Sequence, residues 1–321
     1  MGRIVAASAT LPRRGRWGRT AAVVAGLALG LSGCAWLDVE QRELALRPTP
    51  GRPAAFAPGA PAWQTAFHPG DQRWTVPVPG AGAGRDRLAL WWLPAPDPQA
   101  PTLLYLHGTF RNLYQNLPKI DALRRAGFAI VAVDYRGWGD SAPIVPSEAT
   151  ITADAAVAWA ELERRQPVPL KRVIYGHSMG SAVAVRLASG LHYGADYGAL
   201  VLESSFTSLP DVAAAAGFWG RVAAGLTTLN FDAVDRISQV DAPVLMLHGD
   251  ADRTVPVALG RRLRDAARPG VRWVEVPGGT HSDLQTEAPA LYQHTFHQLI
   301  RRLDAAAASA ATAASAPATT R

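Results

Sequence analysis

Apolar residues along this chain fall into two rhythms. Short runs with little alternation occupy 102–106 (TLLYL), 128–134 (FAIVAVD), 172–175 (RVIY), 199–203 (ALVLE), 243–247 (PVLML) and 271–276. Runs of this length and type suit strands covered on both faces, as in a parallel sheet. Amphipathic stretches of helical period separate them, notably 152–165, 179–190, 256–267 and 288–303. Residues 73–79 and 87–93 predict an antiparallel opening pair, with Gly80 to Gly84 turning between them. The alternation predicts an α/β fold: a mostly parallel eight-stranded sheet with helices on both faces. Functional groups then belong at the carboxyl ends of the strands.

The flanks break this pattern. Residues 46–63, LRPTPGRPAAFAPGAPAW, carry five prolines without periodicity and are expected to form an extended tether. Residues 305–321 are almost entirely Ala, Ser and Thr with no amphipathic face, and a frayed or disordered tail is expected. The domain proper should span 65–304. Residues 208–240 are longer than one crossover needs. They are expected to form either a small apolar lid or two ordinary packed helices.

Of 321 residues, 48% are hydrophobic, enough for a sizeable single core. The formal charge of +6 suggests nucleic acid until its position is considered. Arg3, Arg13, Arg14, Arg16 and Arg19 precede residue 34, where no acid occurs, and without them the charge falls to +1. The remaining arginine pairs are scattered as on solvated helix faces, so no nucleic-acid partner is expected. The one cysteine, Cys34, excludes an internal disulfide and any multi-cysteine metal site.

Residues 1–33 read as an export signal: a basic start, then the short apolar run 21–33. It ends in Leu31-Ser32-Gly33-Cys34, which resembles the lipobox of bacterial lipoproteins. The resemblance implies cleavage before Cys34, acylation of its thiol and membrane anchoring of a Pro-rich segment, 34–64. Ala35 after the cysteine implies the outer membrane, with the domain facing the periplasm.

The chemistry-bearing motif follows RVIY directly: Gly176-His177-Ser178-Met179-Gly180, leading into the helical run SAVAVRLASG. This is G-x-S-x-G between a strand and a helix, where a tight turn exposes the serine at its apex. Serine needs a base, and the base an orienting acid. Candidates follow downstream. His248-Gly249-Asp250-Ala251-Asp252-Arg253-Thr254-Val255-Pro256 closes one strand, and Pro277-Gly278-Gly279-Thr280-His281 lies after the next. Asp250 competes with Asp252 for the acid role.

Together these segments resemble the α/β-hydrolase superfamily over residues 73–303. The match includes the pattern H-G-x-x-D-x-x-V-P at 248–256, the D-x-R-G-x-G-x-S turn at Asp134–Ser141, and Leu202–Ser208. The branch it looks most like includes the BEM46-like proteins and serine aminopeptidase-type hydrolases. The resemblance implies the α/β-hydrolase fold, Ser178 as nucleophile, His281 as base and Asp252 as its acid. It places oxyanion donors at the backbone N–H of Met179 and of Thr109, after His107-Gly108, with Phe110 as the alternative. That branch often carries H-G-N-A-G where this chain has H-G-T-F-R. The expected activity is hydrolysis of a carboxylic ester or thioester, from a small-molecule or lipid substrate. A peptidase with the same triad and a non-catalytic membrane-anchored binding protein are the rivals. No metal or organic cofactor is implied.

Overall fold

A computed structural model describes residues 36–57 and 59–315; Cys34 and the export signal lie outside the described residues. Of the described residues, 36–41 fall in one compact unit and 42–315 in another, which contains the sheet. After a helix over 36–46 (α1), α2 spans Pro61–Ala66, β1 Gln72–Pro77, β2 Arg87–Leu93, β3 Thr102–Leu106, α3 Leu113–Arg125, β4 Ala129–Asp134 and α4 Glu148–Arg165. Then come β5 Arg172–His177, α5 Met179–Ala188, β6 Ala199–Glu203, α6 Leu209–Ala215, α7 Phe218–Leu226 and α8 Val234–Ile237. The chain closes with β7 Val244–Gly249, α9 Val257–Ala266, β8 Arg272–Val276, α10 Leu284–Glu287 and α11 Pro289–Ser315.

The eight strands form one sheet in the order β1-β2-β4-β3-β5-β6-β7-β8. β1 pairs antiparallel with β2, and β2 with β4; the pairings from β4 through β8 are parallel. The unalternating strands are explained by two apolar layers. Leu104, Leu106, Val131, Val133 and Ile174 face one layer, with Ile151 and Ala155 of α4, Val183 of α5 and Leu263 of α9. Their sequence neighbours Leu103, Tyr105, Ile130, Ala132, Val173 and Tyr175 face the other, with Ile120 of α3 and Phe296 and Leu299 of α11. Both sides of the central strands β3 to β7 are dry, so both carry apolar residues, whereas the edge strands β1 and β8 are only partly covered.

Two flanking expectations are corrected. The Pro-rich tether is docked over much of its length. Asn112 Nδ2 donates to the carbonyls of Thr49 (3.3 Å) and Gly51 (3.0 Å), and Gly51 N–H donates to Gly139 O (2.7 Å). Arg52 pairs with Asp140 at 2.8 Å and lies over the rings of Trp63 and Tyr114. Segments without periodicity can still dock when aromatic and polar backbone groups find partners. The tail 305–315 continues α11 as helix. Alanine has the highest helix propensity, and the hydroxyls of Ser309, Thr312 and Ser315 bond back to carbonyls four residues earlier.

The turn after β4 is a structural hub. Asp134 Oδ1 accepts from Leu113 N–H at 2.8 Å, and Arg136 makes two bonds to buried Asp154. Ser141 Oγ links Asp134 O (2.5 Å) to Ala89 N–H (2.7 Å). Gly139 is obligatory here: a Cβ would fall 1.9 Å from Asp134 Oδ2.

Candidate active site

β5 runs straight into α5 with Ser178 between them, at φ 54° and ψ −123°. A serine rarely adopts this backbone, and it pushes Oγ out over the sheet edge. The flanking glycines are forced by space. A Cβ on Gly176 would sit 2.2 Å from Gly180 O, and one on Gly180 2.1 Å from Leu106 O. Ser178 N–H donates to Glu203 O at 3.0 Å, which ties the turn to β6.

The other predicted residues converge on this serine. His281 Nε2 lies 2.8 Å from Ser178 Oγ, and its Nδ1 lies 2.8 Å from Asp252 Oδ2. Asp252 Oδ1 accepts from the N–H groups of Thr254 and Val255, at 2.9 and 2.8 Å. Burial alone would raise the Asp252 pKa. Hydrogen bonds from His248 and His281, the charge on His281 and the Val255 N–H outweigh it and hold the carboxyl below the usual range. An ionised carboxylate only accepts, so Nδ1 carries the imidazole proton and Nε2 can take the one from Ser178. Asp250 is directed elsewhere: its Oδ1 accepts from Gly278 N–H at 2.7 Å.

The loop after β3 borders the serine. A Cβ on Gly108 would lie 2.9 Å from Ser178 Cβ. The N–H groups of Thr109 and Phe110 donate to no acceptor among the described residues. Met179 heads α5, where first-turn N–H groups have no intrahelical acceptor. Buried His107 supports this loop through a 2.6 Å contact from Nδ1 to Gly108 O, packed against Tyr135 and Trp138.

Two layers behind the site were not singled out from sequence. Buried His177, between the elbow glycine and the serine, donates from Nε2 to His281 O (2.9 Å), and Ser204 Oγ donates to the same carbonyl (3.0 Å). Burial, then the nearby charges of Lys119 and His281, push the His177 pKa well below the imidazole range. Deeper still, Glu203 pairs with Lys119 and accepts from Tyr175 (2.6 Å) and Tyr292 (3.0 Å). Lys119 also reaches Gln285 Oε1 at 2.9 Å, four residues beyond His281. The only sequence signal was a lysine and a glutamate at positions whose neighbours are core residues.

Ser178 and His281 open on a cavity of about 350 Å3. Its walls mix apolar surface with the polar side chains of Asn116, Thr254, Thr280 and Ser282, and Phe110 is the one large apolar side chain. A larger hollow of about 660 Å3, near Val78–Arg85 and Pro143–Thr150, contains no paired nucleophile and base. Among the described residues, none from 208–240 lines the serine cavity. Within that insert, α6 and α7 pack against each other. α7 nonetheless turns Phe218, Trp219 and Leu226 to solvent, at 68%, 79% and 67% exposure. Its Gly220 lies against α6, where a Cβ would strike Ala213 O.

Comparison with known proteins agrees with this geometry. A family model described as serine aminopeptidase, S33, matches residues 97–231. An uncharacterised Mycobacterium tuberculosis protein is 36% identical over 222 residues, covering 64% of this chain and 77% of that one. The lysophosphatidylserine lipase ABHD12 of Danio rerio is 32% identical over 60% of this chain, which spans only 54% of that protein's length. In fold the chain is similar to the Pyrococcus furiosus esterase Pf2001: TM-score 0.61 at 16% identity, over 79% of this chain and 98% of the other. An eight-stranded sheet with a strained serine at the β5–α5 turn defines a class of hydrolases. The chain belongs to the α/β-hydrolase superfamily, with lysophosphatidylserine lipases among its relatives.

Proposed function

We propose that this protein is a serine hydrolase that cleaves a carboxylic ester or thioester through an acyl-serine intermediate. The observation that carries the reading is the unbroken chain from Ser178 Oγ through His281 to ionised Asp252. Ser178 Oγ attacks the carbonyl carbon while His281 Nε2 takes its proton. The tetrahedral oxyanion lies between the N–H groups of Met179 and Thr109. His281 then protonates the leaving alcohol or thiol as the C–O or C–S bond breaks. Water, activated by the same imidazole, hydrolyses the acyl-serine. The lysophosphatidylserine lipases among its relatives support a lipid ester as substrate class.

A fluorophosphonate probe should label Ser178, and p-nitrophenyl esters should turn over. Ser178→Ala should abolish labelling, and Asp252→Asn should lower kcat on the order of 10⁴-fold by admitting the wrong imidazole tautomer. Labelling that persists in Ser178→Ala, or turnover that survives His281→Ala, would refute the assignment. The serine aminopeptidase model favours a second reading, peptide-bond cleavage by the same residues. Parallel panels of short peptide amides and esters separate the two.

For location, the proposal is a lipoprotein acylated at Cys34 and held at the outer membrane facing the periplasm. The signal-like run and tetrapeptide before Cys34 support it. Metabolic labelling with an alkynyl palmitate, lost in Cys34→Ser, is the test.

A further inference from the structure

We propose that Arg111 makes the Ser178 cavity selective for esters that carry an anionic group, a phosphate or carboxylate, near the scissile bond. The proposal rests on the esterase reading and extends it to substrate class.

Arg111 lines the same cavity as Ser178 and His281 and is exposed within it. Its guanidinium makes no hydrogen bond and no ion pair among the described residues. Its neighbours behave differently. Arg47 lies over Phe110, Arg52 is bound to Asp140, and Arg136 is bound to Asp154. No carboxylate lines the cavity. The two acids closest in sequence to its walls are engaged: Asp252 by His281, Thr254 N–H and Val255 N–H, and Asp283 by the N–H and hydroxyl of Thr280. The cavity thus holds one permanent positive charge with its five donors unused.

The main chain that carries Arg111 is held in place. Arg111 N–H bonds to Thr109 O at 3.0 Å across Phe110, whose φ is 71°. A bond from residue i+2 to residue i about a positive φ is a γ-turn, a strained conformation found where function over-determines the chain. Buried Asn116 clamps the far side: its Nδ2 donates to Arg111 O (3.3 Å) and Asn112 O (2.9 Å), and Tyr105 donates to its Oδ1 (3.3 Å). One short loop therefore carries both the Thr109 N–H beside the serine and the free guanidinium. An anion bound by Arg111 would set the carbonyl of the same molecule against Ser178.

The test uses the full-length protein in neutral detergent micelles with two matched pairs. One pair is p-nitrophenyl butyrate and p-nitrophenyl hemisuccinate, which place the charge on the acyl side as a carboxylate. The other is 1-oleoylglycerol and 1-oleoyl lysophosphatidic acid, which place it on the alcohol side as a phosphate. The expected result is a kcat/KM ratio of about tenfold for the anionic member of at least one pair, shrinking as salt rises. Arg111→Gln should bring that ratio near unity, and Arg111→Glu should invert it. Preference in the second pair alone identifies a lipid phosphate as the source, and in the first alone a free carboxylate. Equal rates within both pairs, or a preference that survives in Arg111→Gln, overturns the proposal while fluorophosphonate labelling of Ser178 leaves the esterase reading standing. Absence of both labelling and turnover in the unsubstituted protein overturns both.

Discussion

Lys119→Met tests whether the charge pair beneath the site holds it together. Lys119 and Glu203 are both buried, and Glu203 keeps only the hydroxyls of Tyr175 and Tyr292 once the ammonium is gone. Breaking a buried pair by removing one partner costs about 3–5 kcal/mol, because a desolvated charge is left behind. The two tyrosines place the expected loss at the lower end, about 3 kcal/mol. For a domain of this size that lowers Tm by roughly 6–12 °C. Glu203→Gln alone strands the lysine with Gln285 and should cost about 2–3 kcal/mol. The double variant leaves no charge, so its cost should fall short of the sum by at least about 1.5 kcal/mol. Calorimetry and denaturant titration on the four proteins give the cycle, with ester turnover measured alongside. Turnover should fall with Lys119→Met, since Gln285 follows His281 and Glu203 O accepts from Ser178 N–H. A single-variant loss under about 1 kcal/mol, or strict additivity, would refute the reasoning.

Other consequences are direct. Gly180→Ala forces a Cβ to within 2.1 Å of a backbone carbonyl and should yield unfolded or inactive protein, whereas Gly225→Ala, with nothing within 4 Å on exposed α7, should raise stability by up to about 1 kcal/mol; circular dichroism melts distinguish them. His177→Ala removes one of two donors to His281 O and should lower kcat about 10- to 100-fold with KM little changed, which steady-state kinetics on a p-nitrophenyl ester will check. Burial pushes the His107 pKa down to about 4, so His107 stays neutral in the fold while the unfolded chain takes up a proton below about pH 6.5. Its contribution to stability is therefore complete above that pH and lost as pH falls toward 4. The Tm of His107→Gln should decline less between pH 7 and 4.5 than that of the unsubstituted protein.

Much of the fold was legible because its sheet is covered on both faces. Burial of both strand faces writes unbroken apolar runs, and all eight strands could be placed from them and the opening pair. The strand order could not be read, since equivalent apolar strands carry no mark of their neighbours. α3 went unmarked because Pro118 interrupts it and Lys119 occupies a buried position. The residues brought together at Ser178 were legible because each stands in a motif at a strand end. The layer behind them was not: His177, Ser204, Lys119, Glu203 and Gln285 act through partners 28 to 166 positions away, and the one local mark is a lysine and a glutamate among core neighbours. The docking of 46–57 was missed for the same reason, as its partners Asn112 and Asp140 are distant in sequence.

Backbone strain gathers where those long-range contacts meet. Five non-glycine residues among those described have positive φ, and three of them, Phe110, Ser178 and Ser204, follow β3, β5 and β6, which are neighbours in the sheet. Each such residue costs on the order of 1–3 kcal/mol, held by the packed layers around it. Ser204→Gly separates strain from hydrogen bonding. Glycine accepts φ 51° freely and should recover about 1–2 kcal/mol. Loss of the 3.0 Å bond to His281 O costs about 1 kcal/mol, and the freer unfolded chain about 0.5–1 kcal/mol more. These nearly cancel, so Tm should barely move. Turnover should not be spared, because His281 O keeps only its His177 donor and the imidazole gains room to drift from Ser178. A fall in kcat at constant Tm places the strain in the service of the histidine. A large drop in stability with unchanged kcat would instead make Ser204 a packing residue, and the convergence of strained positions incidental.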